Sequence, residues 1–388
     1  MRNLIFVAIL IFLLIFTLGI HLLYLLLLNV LSNKNIRNTL IQRANRPKRK
    51  WTGVPFVSVI VPVYNEELVI ERRLNNILES AYPREKIEII VVDSGSEDKT
   101  STIINDKFRG HITFIREDKR SGKAHAVNLA LDKCKGDIVI LTDGPTLYQK
   151  ETISEIVSSF EDSSIGGVSV LYKIPNNNYN QITTSEGIIW SYKNRIRVLE
   201  SKVFSTSWLS GEACAFRREI IDHVSEDTLA DDSNIAFQVI SKGYRAIINE
   251  NSNFVEKSPS EADDYFKTKT RRALGGVKEI LRFKFFLFNP NYGCFGLIIF
   301  PYRFFAELIS PIPSLIAAGL IIPALMELGI HFGPHIIIPI TVALMLSVFF
   351  LRCTLIAYIY TQLILLKALI LLLKGKSDVR WIQARTTR

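Results

Sequence analysis

Two aspartates stand where apolar runs stop. Asp93 closes the run 87–92, and Asp143 follows the run 138–141 after a single threonine. A carboxylate at the end of a buried strand is easily presented to a cleft, and open α/β sheets bind ligands beyond the carboxyl ends of their strands. Each also has a plainer use, because Asp93 and Ser94 could cap the next helix, as Asp231-Asp232 could cap one starting at Ser233. Polar residues at several successive strand ends favour a site over isolated caps. Arg271 lies in a basic stretch, 267–272, that could equally be solvated surface.

The elements that must hold these residues are legible as alternation. β-Branched runs at 57–63, 87–92, 111–115 and 138–141 are separated by helical patterns, the first through Leu78 and the next through Ile104. Strands alternating with helices imply a mainly parallel, Rossmann-like α/β sheet covered on both faces.

The chain has 388 residues, 48% of them hydrophobic, and a net charge of +10. Residues 1–31 hold an uncharged run from Leu4 to Leu31, long enough to cross a bilayer as a helix. It is about twice the length of a signal-peptide core and no cleavage site follows, so it reads as a retained anchor. A basic linker, 32–51, comes next and predicts that the polar domain at 52–282 lies in the cytosol of an integral membrane protein. Residues 283–307 mix Phe and Tyr with Lys and Arg, as helices in the headgroup layer do. A C-terminal apolar region, 308–373, predicts about two spans, with its excess continuing as an interfacial or protruding helix before a basic cytosolic tail at 374–388. The basic residues form no aromatic-interleaved module, which argues against nucleic acid. Four cysteines without paired short spacing suggest neither a zinc site nor a disulfide framework.

The motifs resemble those of family 2 glycosyltransferases of GT-A fold, in the branch of polysaccharide synthases and lipid-glycosylating enzymes. They are Pro62-Val63-Tyr64-Asn65-Glu66, Val92 to Thr100 (VDSGSEDKT), Gly122 to Ala130 (GKAHAVNLA), Ser210 to Arg218 (SGEACAFRR), Ala230-Asp231-Asp232, and Lys269 to Arg272 with Gly275-Gly276. The resemblance implies an inverting transfer from a nucleotide-sugar, most commonly a UDP-sugar, to a membrane-linked lipid or glycan. In it Pro62, Tyr64 and Asp93 would line the nucleobase site, with Glu66 near the ribose. Lys123 would contact the base or diphosphate, Arg271 would clamp the diphosphate, and Asp143 would help bind Mg²⁺ or Mn²⁺. Asp232 would be the general base, with Asp231 as second choice, and Gly211, Glu212 and Trp208 would lie on the acceptor side.

Two residues depart from the pattern. Pro145 stands where a second metal ligand is usual and offers no side-chain donor, leaving Asp143, the diphosphate, water and a neighbour such as Thr146. Arg272 replaces the tryptophan of the processive synthases, whose aromatic platform Trp190 or Trp208 could supply instead. A processive synthase exporting its polymer is the alternative within this chemistry, and with so few spans it would call for a homo-oligomer. A silent relative that only binds nucleotide or glycan is the alternative outside it.

Overall fold

The computed structural model describes residues 4–33, 53–176 and 178–375. The basic linker and tail fall almost wholly outside the described residues. Eight strands make one sheet: β1 (Val57–Val63), β2 (Ile87–Asp93), β3 (Thr113–Arg116), β4 (Ile138–Leu141), β5 (Leu147–Tyr148), β6 (Ile165–Lys173), β7 (Cys214–Arg217) and β8 (Arg245–Val255). Their order is β3-β2-β1-β4-β7-β6-β8-β5. The first four are parallel, as expected, although β3 starts two residues later than the sequence suggested. The sheet then turns mixed, with β7 antiparallel to both β4 and β6 and β8 parallel to β6.

Among the described residues, ten longer helices accompany the sheet: α1 (Ile5–Leu31), α2 (Ile70–Leu78), α3 (Thr100–Phe108), α4 (Lys123–Leu131), α5 (Thr152–Ser159), α6 (Gln181–Val203), α7 (Asp231–Ser241), α8 (Ala262–Arg282), α9 (Pro311–Phe332) and α10 (Pro334–Leu373). All seven residues of β1 are buried, because helices cover both faces of the parallel half. Val57, Val59, Val61 and Val63 pack with Ile70 and Leu74 on one side. On the other, Ile60 packs with Ala126, Val127 and Ala130 of α4.

Three helices are long and apolar enough to cross a membrane among the described residues. The backbone N–H groups of Ile5 and Val7 donate to the Glu327 carboxylate at 2.9 and 3.0 Å, which ties the start of α1 to the far end of α9. At its other end α1 buries Tyr24 and Leu28 against Ile196 and Val203 of α6. The α/β domain therefore sits at one end of the helices. α10 returns antiparallel to α9, with the Ser314 and Tyr358 hydroxyls 2.8 Å apart. Its 40 residues measure about 60 Å, roughly twice a bilayer core. Cys353–Leu373 is apolar enough to cross, yet Ala368 packs on Leu229 and Leu274 of the domain. The part paired with α9 leads away from the domain, and the last turns run along it.

The 283–307 segment does not simply lie in a headgroup layer. Phe286, Phe295 and Phe300 are fully buried and enclose Phe237 of α7, because the rings gain more by packing on the sheet's helical layer than by facing lipid. Phe285, Phe288 and Leu297 are the large apolar groups it leaves exposed.

Candidate active site

The register of β1 and β2 pairs Val63 with Asp93, so both strands end together and release Tyr64 and Ser94 side by side. The groove between them is lined by Pro62, Tyr64, Ser94, Arg120, Gly122 and Lys123. Gly122 has φ +110°, a backbone state that side chains disfavour, and it turns the chain so that Lys123 opens α4. The Arg120 guanidinium lies 3.9 Å over the Tyr64 ring. Sequence reasoning passed over Arg120, although it stands in the same charged loop as Lys123.

Asp93 and Glu66 are more enclosed than expected. Asp93 is fully buried, accepting from the Ser96 N–H at 2.9 Å, the Ser96 hydroxyl at 2.5 Å and the Ser101 hydroxyl. Its carboxylate shapes the loop and does not cap the following helix, which begins at Thr100 behind Lys99 without a side-chain cap. Glu66 is buried, and a Cβ on Gly144 would come within 3.2 Å of its carboxyl carbon. That side chain therefore leans toward the strand end carrying Asp143.

The antiparallel pairing of Leu141 with Cys214 sets Asp143 across from Glu212. Thr142 donates to the Glu212 carbonyl at 2.7 Å, as does the Tyr148 hydroxyl at 2.9 Å. Buried Arg73 donates to Thr142 at 2.6 Å, so the turn holding Glu212 is anchored from α2. Glu256, one residue beyond β8, completes a buried group in which carboxylate oxygens of Asp143, Glu212 and Glu256 lie within 4.8 Å of one another. Pro145 thus leaves no gap in the ligand set: the sheet brings in Glu212 and Glu256. Thr146, considered as a ligand, donates to Glu256 at 3.0 Å instead. Burial, then the charge of Glu212, pushes the Glu256 carboxyl up to about 8. Glu256 thus resists ionising beside its acidic neighbours, and a hard divalent cation is the kind of group that relieves such crowding. The residues fit Mg²⁺ or Mn²⁺.

Lys123 joins this centre to α7, ion-pairing with Asp143 at 2.8 Å and Asp231 at 3.0 Å. Burial alone would lower the pKa of its ammonium, but the two carboxylates outweigh it and hold the proton more firmly than usual. Burial likewise opposes ionisation of Asp143, yet Lys123, then Arg272 and Arg271, keep its carboxyl below the usual range. Helix α7 begins at Asp231 rather than Ser233, with both aspartates in its first turn and Ala230 at the cap position. Asp232 accepts from the Trp208 indole N–H at 2.7 Å and from the Ser233 N–H at 2.6 Å. Burial, then Asp231 and Glu212, pushes its carboxyl up to about 6. A base near neutrality can both accept and release a proton efficiently.

Gly211 gives this corner its closeness, since a Cβ there would lie 3.5 Å from the Lys123 ammonium and 3.9 Å from Asp232. Arg271 has its Nε buried without a hydrogen-bond partner, as suits a guanidinium meant for an incoming anion. Arg272 pairs with Glu212 at 3.2 Å, so it braces the acidic centre and is no substitute platform. Trp208 is half-buried beside Asp232, whereas Trp190 is buried against it, ring centres 5.1 Å apart, and donates to Glu186 at 2.6 Å. Glu186 also accepts from Lys269 and, at 2.8 Å, from Tyr265. Trp190 is therefore packing, and Trp208 is the ring left partly exposed.

Comparison with known proteins now has a site to refer to. Residues 58–225 match the family model described as glycosyl transferase family 2. The chain carries a family 2 glycosyltransferase domain. It is 26% identical over 290 residues to the probable glycosyltransferase YdaM of Bacillus subtilis, covering 71% of this chain and 69% of that one. It is 25% identical over 199 residues to a beta-monoglucosyldiacylglycerol synthase of Trichormus variabilis, covering 50% of this chain and 42% of that protein, so it spans well under two thirds of that relative's length. Among solved structures, the mannosyltransferase PcManGT of Pyrobaculum calidifontis in complex with GDP-Man and Mn²⁺ superposes with a TM-score of 0.77 at 28% identity. That match covers 96% of this chain and all of the other. The fold of this glycosyltransferase is GT-A, with apolar helices at its N-terminus and in its C-terminal region.

Proposed function

We propose that this glycosyltransferase moves a sugar, with inversion, from a nucleotide-sugar to a hydroxyl of a membrane-linked lipid or glycan, on the cytosolic face of the membrane. One observation carries the reading. The Lys123 ammonium bridges Asp143, at the end of a donor-side strand, to Asp231, beside the half-buried base candidate Asp232. Leaving-group and acceptor chemistry are thereby a side chain apart.

In this reading Tyr64 and Pro62 receive the nucleobase, and Arg120 leaves the Tyr64 face or stacks on the base. Arg271 and Lys123 pair with the diphosphate. Asp232 takes the proton of the acceptor hydroxyl as its oxygen bonds to the anomeric carbon; the bond to the diphosphate oxygen breaks, and the nucleoside diphosphate leaves with the electron pair. Asp143, Glu212 and Glu256 would hold a divalent cation, which would supply a Lewis acid for the charge that builds on the leaving group. Trp208 orients Asp232 and offers its ring to the acceptor. A membrane-linked acceptor is supported by the apolar helices that pack against the domain and by the glycolipid synthase among the relatives.

The test uses purified full-length protein in lipid nanodiscs, screened with GDP-mannose and a set of UDP-sugars, with products separated by lipid linkage and chain length. Asp232→Asn is expected to lower kcat by about 10²-fold or more while nucleotide affinity is kept. Full transfer by that variant would remove Asp232 as base. Chelation with EDTA should stop transfer and Mn²⁺ should restore it; activity untouched by EDTA would remove the metal role of the three carboxylates. Long polymer in place of single additions would favour the processive alternative.

A further inference from the structure

The membrane-facing segments reach the base through one side chain. Arg303, in the helical stretch 295–309 that leads into α9, is 8% exposed although it is an arginine. Its Nη1 donates to the Ser207 carbonyl, and its Nη2 to the Ser233 hydroxyl at 3.1 Å. Its Nε is paired with Glu307 at 2.9 Å, and its guanidinium carbon lies 5.2 Å from the centre of the Phe237 ring on α7. Ser207 and Ser233 are the immediate neighbours of Trp208 and Asp232, which are hydrogen-bonded to each other. The two chains that present the catalytic pair are thus joined behind it by a single planar fork, a geometry that arginine provides and lysine does not.

A second contact reaches the same place from α1. The Ser207 N–H donates to Glu200 at 3.2 Å, and the Thr206 hydroxyl to the same oxygen at 3.0 Å. The other Glu200 oxygen accepts from the hydroxyl of Tyr24, on the first membrane helix, at 2.6 Å. Tyr24 in turn stacks on Tyr302, beside Arg303, with ring centres 3.5 Å apart. Residue 207 is therefore held through its N–H and its carbonyl by groups that answer to α1 and to the segment before α9.

We infer that Arg303 is a positioning residue for the Trp208–Asp232 pair, so that the seating of the membrane segments sets the alignment of the base. The inference rests on the reading of Asp232 as the base. Arg303 touches neither donor nor leaving group in this arrangement, so its loss should appear in turnover and not in donor binding. A displacement of the base on the order of 1 Å can lower a rate by about 10²-fold.

The experiment compares wild type, Arg303→Gln, Arg303→Lys, Ser233→Ala and Asp232→Asn as full-length proteins in lipid nanodiscs, measuring kcat, donor KM and nucleotide affinity. Arg303→Gln should lose about tenfold or more in kcat with donor KM and nucleotide affinity within about twofold of wild type. Arg303→Lys should recover part of that loss. Ser233→Ala removes one hydrogen bond without disturbing the core and should lower kcat in the same sense by about threefold; it decides the matter if Arg303→Gln does not fold. Wild-type turnover in Arg303→Gln and Ser233→Ala, or a fall in nucleotide affinity that parallels kcat, would overturn the inference by making Arg303 inert or a general brace. If Asp232→Asn keeps its full rate, the base assignment falls and this inference with it. If Asp232→Asn is inactive while the other variants turn over normally, the inference falls alone.

Discussion

Asp232 owes its character to what surrounds it. Burial and the neighbouring Asp231 and Glu212 charges favour the protonated form, while the Trp208 indole partly offsets them by donating to the carboxylate. A base must be deprotonated to act, so kcat/KM should fall below pH about 6 and level off above it. Trp208→Phe removes the hydrogen bond that favours the charged form and should move that limb upward; a pH–rate profile reads both. A limb that stays put in the variant would mean that the indole does not tune Asp232. The same shift bears on stability. A folded-state pKa above the unfolded value means that the group's contribution is present at low pH and lost as pH rises through about 6. Asp232→Asn should therefore melt no lower than wild type at pH 7, which separates its loss of activity from any loss of fold.

At the scale of elements, the site depends on how closely α8 approaches the loop before α7. Gly275 of α8 faces Leu229 and Ala230, where an added Cβ would come within 2.9 Å of the Leu229 backbone and 3.0 Å of the Ala230 Cβ. Neither is the far end of a flexible chain, so the helix or the loop would have to shift. Gly275→Ala is expected to cost about 1–3 kcal/mol by overpacking, read as a lower melting temperature. It should also reduce turnover, because the loop that would move is the one delivering Asp231 and Asp232. Unchanged melting and turnover would show that α8 can ride outward freely. Arg271 and Arg272 lie one turn earlier on the same helix, one near Asp231 and Asp143 and one on Glu212. A single helix thus carries both the proposed anion clamp and the brace of the acidic centre.

The whole molecule is an α/β domain held at one end of apolar helices. Glu327 binds the first N–H groups of α1 at the far end, and Tyr24 meets Glu200 at the near end. Those contacts fix α1 lengthwise between α9 and the domain. Because basic residues follow the first apolar run in the sequence and precede the domain, the catalytic face is expected to be cytosolic. Protease added to inside-out vesicles should remove the domain, while right-side-out vesicles should protect it; the reverse result would overturn the orientation.

What the sequence determined by itself was local: apolar runs long enough to cross a bilayer, strands that must be covered on both faces, and Asp93 and Asp143 at their ends. Those features are set by periodicity and length, which need no partner from elsewhere in the chain. The position of Asp143 past a strand end was legible, but its company was not. Glu212 lies 69 residues and Glu256 113 residues further along, and only the β4–β7 pairing and the end of β8 bring their oxygens together. The gap at Pro145 looked like a missing ligand because sequence spacing counts neighbours along the chain, whereas a cation site counts neighbours in space. Arg272 looked like a lost platform for the same reason, until its contact with Glu212 showed what it holds. The buried Arg303 and the aromatic segment around it looked interfacial, since composition registers amphipathic character and not the surface that satisfies it. Tertiary structure decided that this surface is the helix carrying Asp232.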